Sequence, residues 1–381
     1  MDLVDPVIQE YAWGSRTLIA QLRGEDYPTE APQAELWFGA HPSAPSTVRG
    51  APLDEVFASD RTAQLGDIYE LPFLLKVLAA GSPLSLQAHP TKDQAVRGFA
   101  EENAAGVPLD SPVRNYRDDN HKPELIVALT EFHALAGFRP IAQTRELFEA
   151  LGVSSLLEDV SPLGSETDLK KVLTTWLTMD SEDIDSRIQS VTQACSAGLS
   201  GWMGPVAETT IDLAERYPGD PGVLASMLLN RIRLEPGQGI FIGAGHLHAY
   251  LSGLGVEIMA SSDNVLRGGL TSKHVDVPNL LTVLQFATTA DPVLSPQAID
   301  GVTAYDVPVD EFALRSVELG DAGHEVQGPA MVLVTEGTSL IDGQSLPPGT
   351  AAWIPANRPT VVRRGPDSLA TTVFVATIPR S

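Results

Sequence analysis

The feature that most constrains this chain is a change of hydrophobic period along it. Up to about residue 140 the apolar residues come in strand-length runs, Leu71–Leu78, Glu124–Leu129 and Ala134–Phe138, each bounded by turn residues. From about 141 to 230 the spacing becomes helical. Leu169-Lys-Lys-Val-Leu-Thr-Thr-Trp-Leu177 places apolar groups at i, i+3, i+4 and i+7, and Val206–Tyr217 repeats the period. Asp220-Pro221 reads as a helix start, and Thr91 as the N-cap of a short helix. From Leu234 onward strands and Gly turns return, and the last 80 residues read as all β. Leu234–Ile242 and Leu346–Ile354 share a Pro-Gly turn leading into an apolar strand, which suggests two related β modules. A mainly β protein interrupted by a helical block follows.

Composition narrows the partners. The net charge of −24 argues against nucleic acid and against anionic membrane surfaces. No run of 18 apolar residues exists, and the N-terminus lacks a signal-peptide pattern, so a cytoplasmic location without membrane contact is expected. The single cysteine, Cys195, removes disulfides and thiolate metal sites, and its place in the helical block marks it as core filler.

Metal-capable groups then have to be His, carboxylate and amide oxygen, a set suited to zinc or to the harder divalent ions. Gln87-Ala-His89 and His246-Leu-His248 each place two donors at i and i+2, on one face of a strand. His121-Lys-Pro-Glu124 offers a carboxylate where a strand begins. His41, His133, His274 and His324 read as ordinary polar residues. Cations are scarce, yet Lys76, Lys122, Arg267 and Lys273 lie near these donors, as an anionic ligand such as phosphate requires. Lys76 falls inside the apolar run Leu71–Leu78, where a charge needs a partner. The stretch Gly255–His274 is dense in ionisable groups, including Glu257, Asp263, Asn264 and Arg267.

Eight ordered blocks carry a family resemblance: Tyr11-Ala-Trp-Gly14, Ala34-Glu-Leu-Trp-Phe-Gly-Ala-His-Pro42, Leu71-Pro-Phe-Leu-Leu-Lys-Val-Leu78, Leu84-Ser-Leu-Gln-Ala-His-Pro90, Asp119-Asn-His-Lys-Pro-Glu-Leu125, Leu135-Ala-Gly-Phe-Arg-Pro140, His248-Ala-Tyr-Leu251 and Ser262-Asp-Asn-Val-Leu-Arg-Gly-Gly-Leu-Thr-Ser-Lys273. In these the chain resembles the type I mannose-6-phosphate isomerases. The resemblance implies a cupin (jelly-roll) catalytic sandwich in two parts, 1–143 and 231–300. A helical domain at 144–230 would interrupt it, and a cupin-like C-terminal β domain at 301–381 would follow. It implies one Zn2+ per chain, held by Gln87, His89, Glu124 and His248. Arg267 matches the family's catalytic arginine. Lys76, Lys122, Lys273, Ser85, Glu257, Tyr250, Trp13 and Asp263 fall on pocket positions. His246 stands where relatives usually carry an uncharged residue; by strand parity it competes as a ligand or supports His248.

The implied reaction interconverts mannose 6-phosphate and fructose 6-phosphate through an enediol(ate), with proton transfer between C2 and C1. Lys122, Glu257, Asp263 and Arg267 are the candidate catalytic groups. Arg267, Lys273, Lys76 and Ser85 are the candidate phosphate contacts. A monomer acting on a small sugar phosphate is expected. An isomerase of a different aldose and a non-catalytic sugar-phosphate-binding cupin are the alternatives.

Overall fold

Strand His248–Ala260 runs for 13 residues and organises the molecule, a computed structural model describing residues 1–379. Its first half pairs with strands Leu86–Ala88 and Phe132–Phe138, and its second half with Phe73–Ala80 and Glu124–Ala128, all antiparallel. Right-handed twist keeps so long a strand from lying in one flat sheet. A register irregularity between Tyr250 and Ser252 lets it pass from one set of neighbours to the other. The resulting eleven-stranded assembly folds over on itself and encloses a cavity.

Strand Phe73–Ala80 is buried along its whole length, which explains its continuous apolar run. Phe73, Leu75, Val77 and Ala79 join a core with Leu36, Phe38, Trp353 and Phe374. Residues of opposite parity face the other way, and Lys76 is one of them.

That shared core ties in the C-terminal sheets. Strands Val302–Tyr305, Ala313–Glu318, Ala330–Glu336, Ala351–Ile354 and Thr372–Thr377 form a six-stranded sheet with Asp2–Val4. A four-stranded sheet (His324–Val326, Ser339–Ile341, Gln344–Leu346, Thr360–Arg364) covers its outer face through Val332, Val334, Ile341, Val362 and Val375. Asp2–Val4 pairs with Ala351–Trp353, so the first strand of the chain lies in the sheet of the last 80 residues. Texture along the sequence carries no sign of this exchange, since a three-residue strand has no period to read. The two Pro-Gly turns are the same device in two different sheets. Gly237 and Gly349 both take positive φ, 86° and 75°, and each leads into a strand, Gly239–Ile242 or Ala351–Ile354.

The middle of the chain is helical: Ile141–Leu151, Ser154–Val160, Glu166–Leu177, Ser181–Ser196, Met203–Arg216 and Gly222–Ser226. Its centre is Trp176, fully buried against Phe148, with its indole N–H donating to Asp159 Oδ2 at 2.9 Å. The helix after Asp220 begins one residue later than the Asp-Pro pair predicts. Pro221 is its N-cap, while the Asp220 carboxylate accepts the Gly222 N–H at 2.7 Å. Thr91 does cap a helix, Lys92–Ala104, in a capping box with Gln94, and at 13 residues that helix is not short. Helices Leu18–Arg23, Leu53–Ser59 and Arg61–Leu65 lie within the strand-rich first part; each is too short to show a period. No helix among the described residues is long and apolar enough to cross a membrane.

The helical block supports the cavity from behind. Leu86, Ala88, Leu247, Leu251 and Leu266 pack into its core. Their neighbours Gln87, His248, Tyr250 and Arg267 line the cavity instead. Each buried leucine contributes about 1.5–3 kcal/mol by leaving water, so the strand faces that aim the polar groups are held by apolar burial.

Candidate active site

The cavity has a volume of about 580 Å³ and is bounded by Trp13, Lys76, Ser85, Gln87, Lys122, Glu124, His248, Tyr250, Glu257, Asp263, Arg267 and Lys273. His89 stands just behind the wall, fully buried and one residue past the end of strand Leu86–Ala88. Sheet register brings these positions together. His248 lies opposite Gln87, Arg267 opposite Gln87 on the other edge, and Glu257 opposite Lys76.

At one end, donor atoms of His89, Glu124 and His248 lie within 4.8 Å of one another. His89 Nδ1 donates to the Asn264 carbonyl at 2.7 Å, and His248 Nδ1 to the His246 carbonyl at 3.1 Å. Carbonyl oxygens only accept, so in each neutral ring Nε2 carries a bare lone pair. Burial holds His89 down to about 4, which keeps its ring neutral. Its Nε2 makes no hydrogen bond, although Glu124 Oε1 is 3.3 Å away; His248 Nε2 is 3.5 Å from Glu124 Oε2. Burial by itself would raise the Glu124 carboxyl, but Lys122 and then His89 outweigh it and hold Glu124 well below the usual range. His89 thus turns a bare nitrogen toward an ionised carboxylate, with His248 Nε2 beside it. Such a set of acceptors is satisfied by a cation, and two imidazoles with a carboxylate suit zinc. Gln87 donates its amide N–H to Ser85 Oγ at 3.2 Å, which leaves its carbonyl oxygen free on the cavity wall. Carbonyl acceptors on both histidines supply the outer support that metal-binding imidazoles use.

His246 does not join this group. It precedes the strand that starts at His248, so strand parity does not govern its side chain, and its contribution is the backbone carbonyl that orients His248.

Behind the metal end lies a buried charge cluster. Lys76 Nζ is 3.1 Å from Glu257 Oε2 and 3.3 Å from Glu35 Oε1, and it stands over the Trp37 ring at 5.3 Å. Burial opposes the ammonium charge, but Glu257 and Glu35 outweigh it and hold Lys76 above the ordinary lysine range. Lys76, grouped with the phosphate-binding cations on the resemblance, therefore sits between two carboxylates. Burial raises the Glu257 carboxyl, with Lys76 pulling the other way. Burial and then Glu257 also raise the Tyr250 phenol, whose hydroxyl is buried without a hydrogen-bond partner. Lys122 Nζ is 2.6 Å from Glu124 Oε1.

The cavity also carries a cationic group. Arg267, Lys273 and Arg117 line the same cavity; burial and then their mutual repulsion lower both Arg267 and Lys273. Like charges held close without carboxylates between them suit an anionic group of a ligand. Asp263 is 41% exposed and lies 3.5 Å from His41 Nε2, so it has solvent access that the buried Glu257 lacks.

Sequence reading passed over Arg117 and Glu35. Arg117 belongs to none of the eight blocks, and nothing in its neighbourhood marks it. Glu35 was legible in principle, because a charge inside the apolar run Ala34–Gly39 needs a partner for the same reason that Lys76 does.

Known proteins with these features can now be set beside the chain. The family described as phosphomannose isomerase type I, catalytic domain, matches residues 2–141. The mannose-6-phosphate isomerase of Escherichia coli (strain K12) is 38% identical over 382 residues, covering 95% of this chain and 97% of that one. The mannose-6-phosphate isomerase of Schizosaccharomyces pombe is 33% identical over 410 residues, covering 93% and 94%. A crystal structure of mannose 6-phosphate isomerase in its holo, zinc-bound form aligns with a TM-score of 0.90 at 34% identity, covering 100% of this chain and 99% of that one. Sequence, fold and site agree: the chain belongs to the type I mannose-6-phosphate isomerase family.

Proposed function

We propose that this protein is a zinc-dependent aldose–ketose isomerase that interconverts mannose 6-phosphate and fructose 6-phosphate. It acts in the cytoplasm as a monomer on a cupin-type catalytic sandwich made of 1–143 and 231–300. The observation that carries the reading is the convergence of His89, Glu124 and His248 donor atoms within 4.8 Å, with both imidazoles oriented by backbone carbonyls, in a cavity that also carries Arg117, Arg267 and Lys273.

His89, Glu124 and His248 would hold the zinc, with the free Gln87 carbonyl as the fourth donor. Bound there, zinc supplies Lewis-acid polarisation of the sugar carbonyl. Arg267, Lys273 and Arg117 bind the phosphate, which leaves C1 and C2 of the opened sugar to face the metal donors. Glu257 carries the proton between C2 and C1. Its burial raises its affinity for a proton, and Lys76 beside it keeps the carboxylate form accessible. Lys122, anchored on Glu124, presents positive charge where the enediolate oxygens develop negative charge. Trp13, Tyr250 and Ser85 form the wall that orients the sugar. Asp263, open to solvent, serves ring opening.

Chelation is expected to abolish turnover of mannose 6-phosphate, and one equivalent of zinc to restore it, followed by coupled detection of fructose 6-phosphate. Zinc-loaded, folded protein that leaves mannose 6-phosphate unconverted would sink the reading. An accompanying control is Cys195→Ser. The thiol lies in the helical core, 3% exposed, and burial pushes it up to about 11. The hydroxyl is expected to cost about 1–3 kcal/mol of stability in urea unfolding and to leave kcat/KM unchanged. A large drop in rate would show that the helical block reaches the chemistry.

A further inference from the structure

Asn264 lines neither the metal donors nor the cavity, yet it is hydrogen-bonded to a backbone or ring atom of a residue in each group, Arg117 and His89. It is fully buried. Its Oδ1 accepts the backbone N–H groups of Arg117 at 2.7 Å and Asp118 at 3.3 Å. Its Nδ2 donates to Asp118 O at 2.8 Å, to Asp118 Oδ1 at 3.1 Å and to Asn120 O at 2.8 Å. Both ends of the amide are thus used, and no other side chain of this size offers two acceptor lone pairs and two donors in that arrangement. Its own carbonyl accepts the Nδ1–H of His89. Ser262 braces the turn: its hydroxyl donates to Asp118 Oδ1 at 2.8 Å and accepts the Asn264 N–H at 3.2 Å.

The segment held in this way begins at Arg117, one of the three cavity cations, and runs into Lys122 and Glu124. The residue holding it lies three positions before Arg267. We propose that Asn264, braced by Ser262, is a positioning residue that holds His89 of the metal donors and Arg117 of the cationic group in one fixed arrangement. An open-chain hexose phosphate has a fixed number of bonds between its carbonyl and its phosphate, so both ends must be held at one separation for the reacting carbons to be aligned.

This role presupposes the sugar-phosphate reading above, but two binding measurements test it without any turnover. Zinc affinity is read by competition with a chelator, and inorganic phosphate affinity by calorimetry on the zinc-loaded protein. In Asn264→Ala both are expected to weaken together, zinc about 10-fold through the loosened support of His89 and phosphate about 3- to 10-fold through the displaced Arg117. Arg267→Ala is expected to weaken phosphate alone. A purely structural role would lower the melting temperature and leave both dissociation constants of the folded protein within twofold, and that outcome overturns the proposal. If Asn264→Ala does not fold, Ser262→Ala decides by the same pair of measurements. A joint weakening of about 3-fold supports the proposal, and an unchanged constant for either ligand overturns it. Absence of isomerase turnover in the wild-type protein, by contrast, would defeat the functional reading and leave these two constants meaningful.

Discussion

His89→Ala is expected to lose zinc and isomerase turnover in the same step. The imidazole is fully buried, and the carbonyl of Asn264 fixes which nitrogen faces Glu124. Alanine removes that nitrogen and leaves a void in the donor set. Losing a direct donor exceeds the 10- to 100-fold in metal affinity that an outer support is worth, so zinc binding should weaken by more than about 100-fold. The rate should fall by at least about 10³-fold, the scale of losing one strong electrostatic contact to the transition state. Glu124→Ala is expected to behave alike, with one added consequence. It strands Lys122, whose ammonium is 2.6 Å from Glu124, so stability falls as well. Zinc content by atomic emission beside kcat measured on the same preparation checks both. Full zinc content in either variant would remove that residue from the donor set.

The second large effect is expected in Arg267→Ala: a fall in kcat/KM for mannose 6-phosphate of about 30- to 1000-fold, the usual cost of removing one partner from a charge-assisted contact to a bound anion. Its signature is a loss of activity without a loss of stability. Arg267 repels Lys273 and is repelled by Arg117, so its removal relieves the folded protein rather than breaking an attraction. The pH dependence follows with a definite sign. Burial and then Arg267 lower the Lys273 ammonium, so deleting Arg267 lets that pKa rise, and any basic limb due to Lys273 moves to higher pH. Arg267→Lys should keep the charge but lose the planar fork, and should recover only part of the rate. A melting temperature that drops in step with activity would count against a binding role. Unchanged preference for mannose 6-phosphate over mannose would move the phosphate site elsewhere.

Legibility of the fold followed the length of each element. Leu169–Leu177 and Val206–Tyr217 span several helical turns, so their apolar stripes show in one dimension, and both lie in helices. The short helices Leu18–Arg23 and Arg61–Leu65 and the strand Asp2–Val4 hold too few residues for any period. Their structure comes from what they pack against. In the site, Gln87, His89, Glu124 and His248 stood out because rare residue types recur at donor spacing or within recognisable blocks. Of the two readings of His246, support for His248 holds through its backbone carbonyl, while parity says nothing of its side chain because the strand begins two residues later.

By itself the order of residues determined which donor types were available and where the helical block interrupts the strands, because both are local properties of composition and spacing, and its eight ordered blocks carried the likeness to a known family. Only the tertiary structure decided that Lys76 stands between Glu35 and Glu257, that Arg117 joins Arg267 and Lys273, and that one asparagine bonds both His89 and the Arg117 backbone. Those pairings bring together groups from strands far apart in sequence. Their electrostatic consequences exist only at distances of a few ångströms in a site shielded from water, where charges that would ignore one another in solution shift each other's protonation.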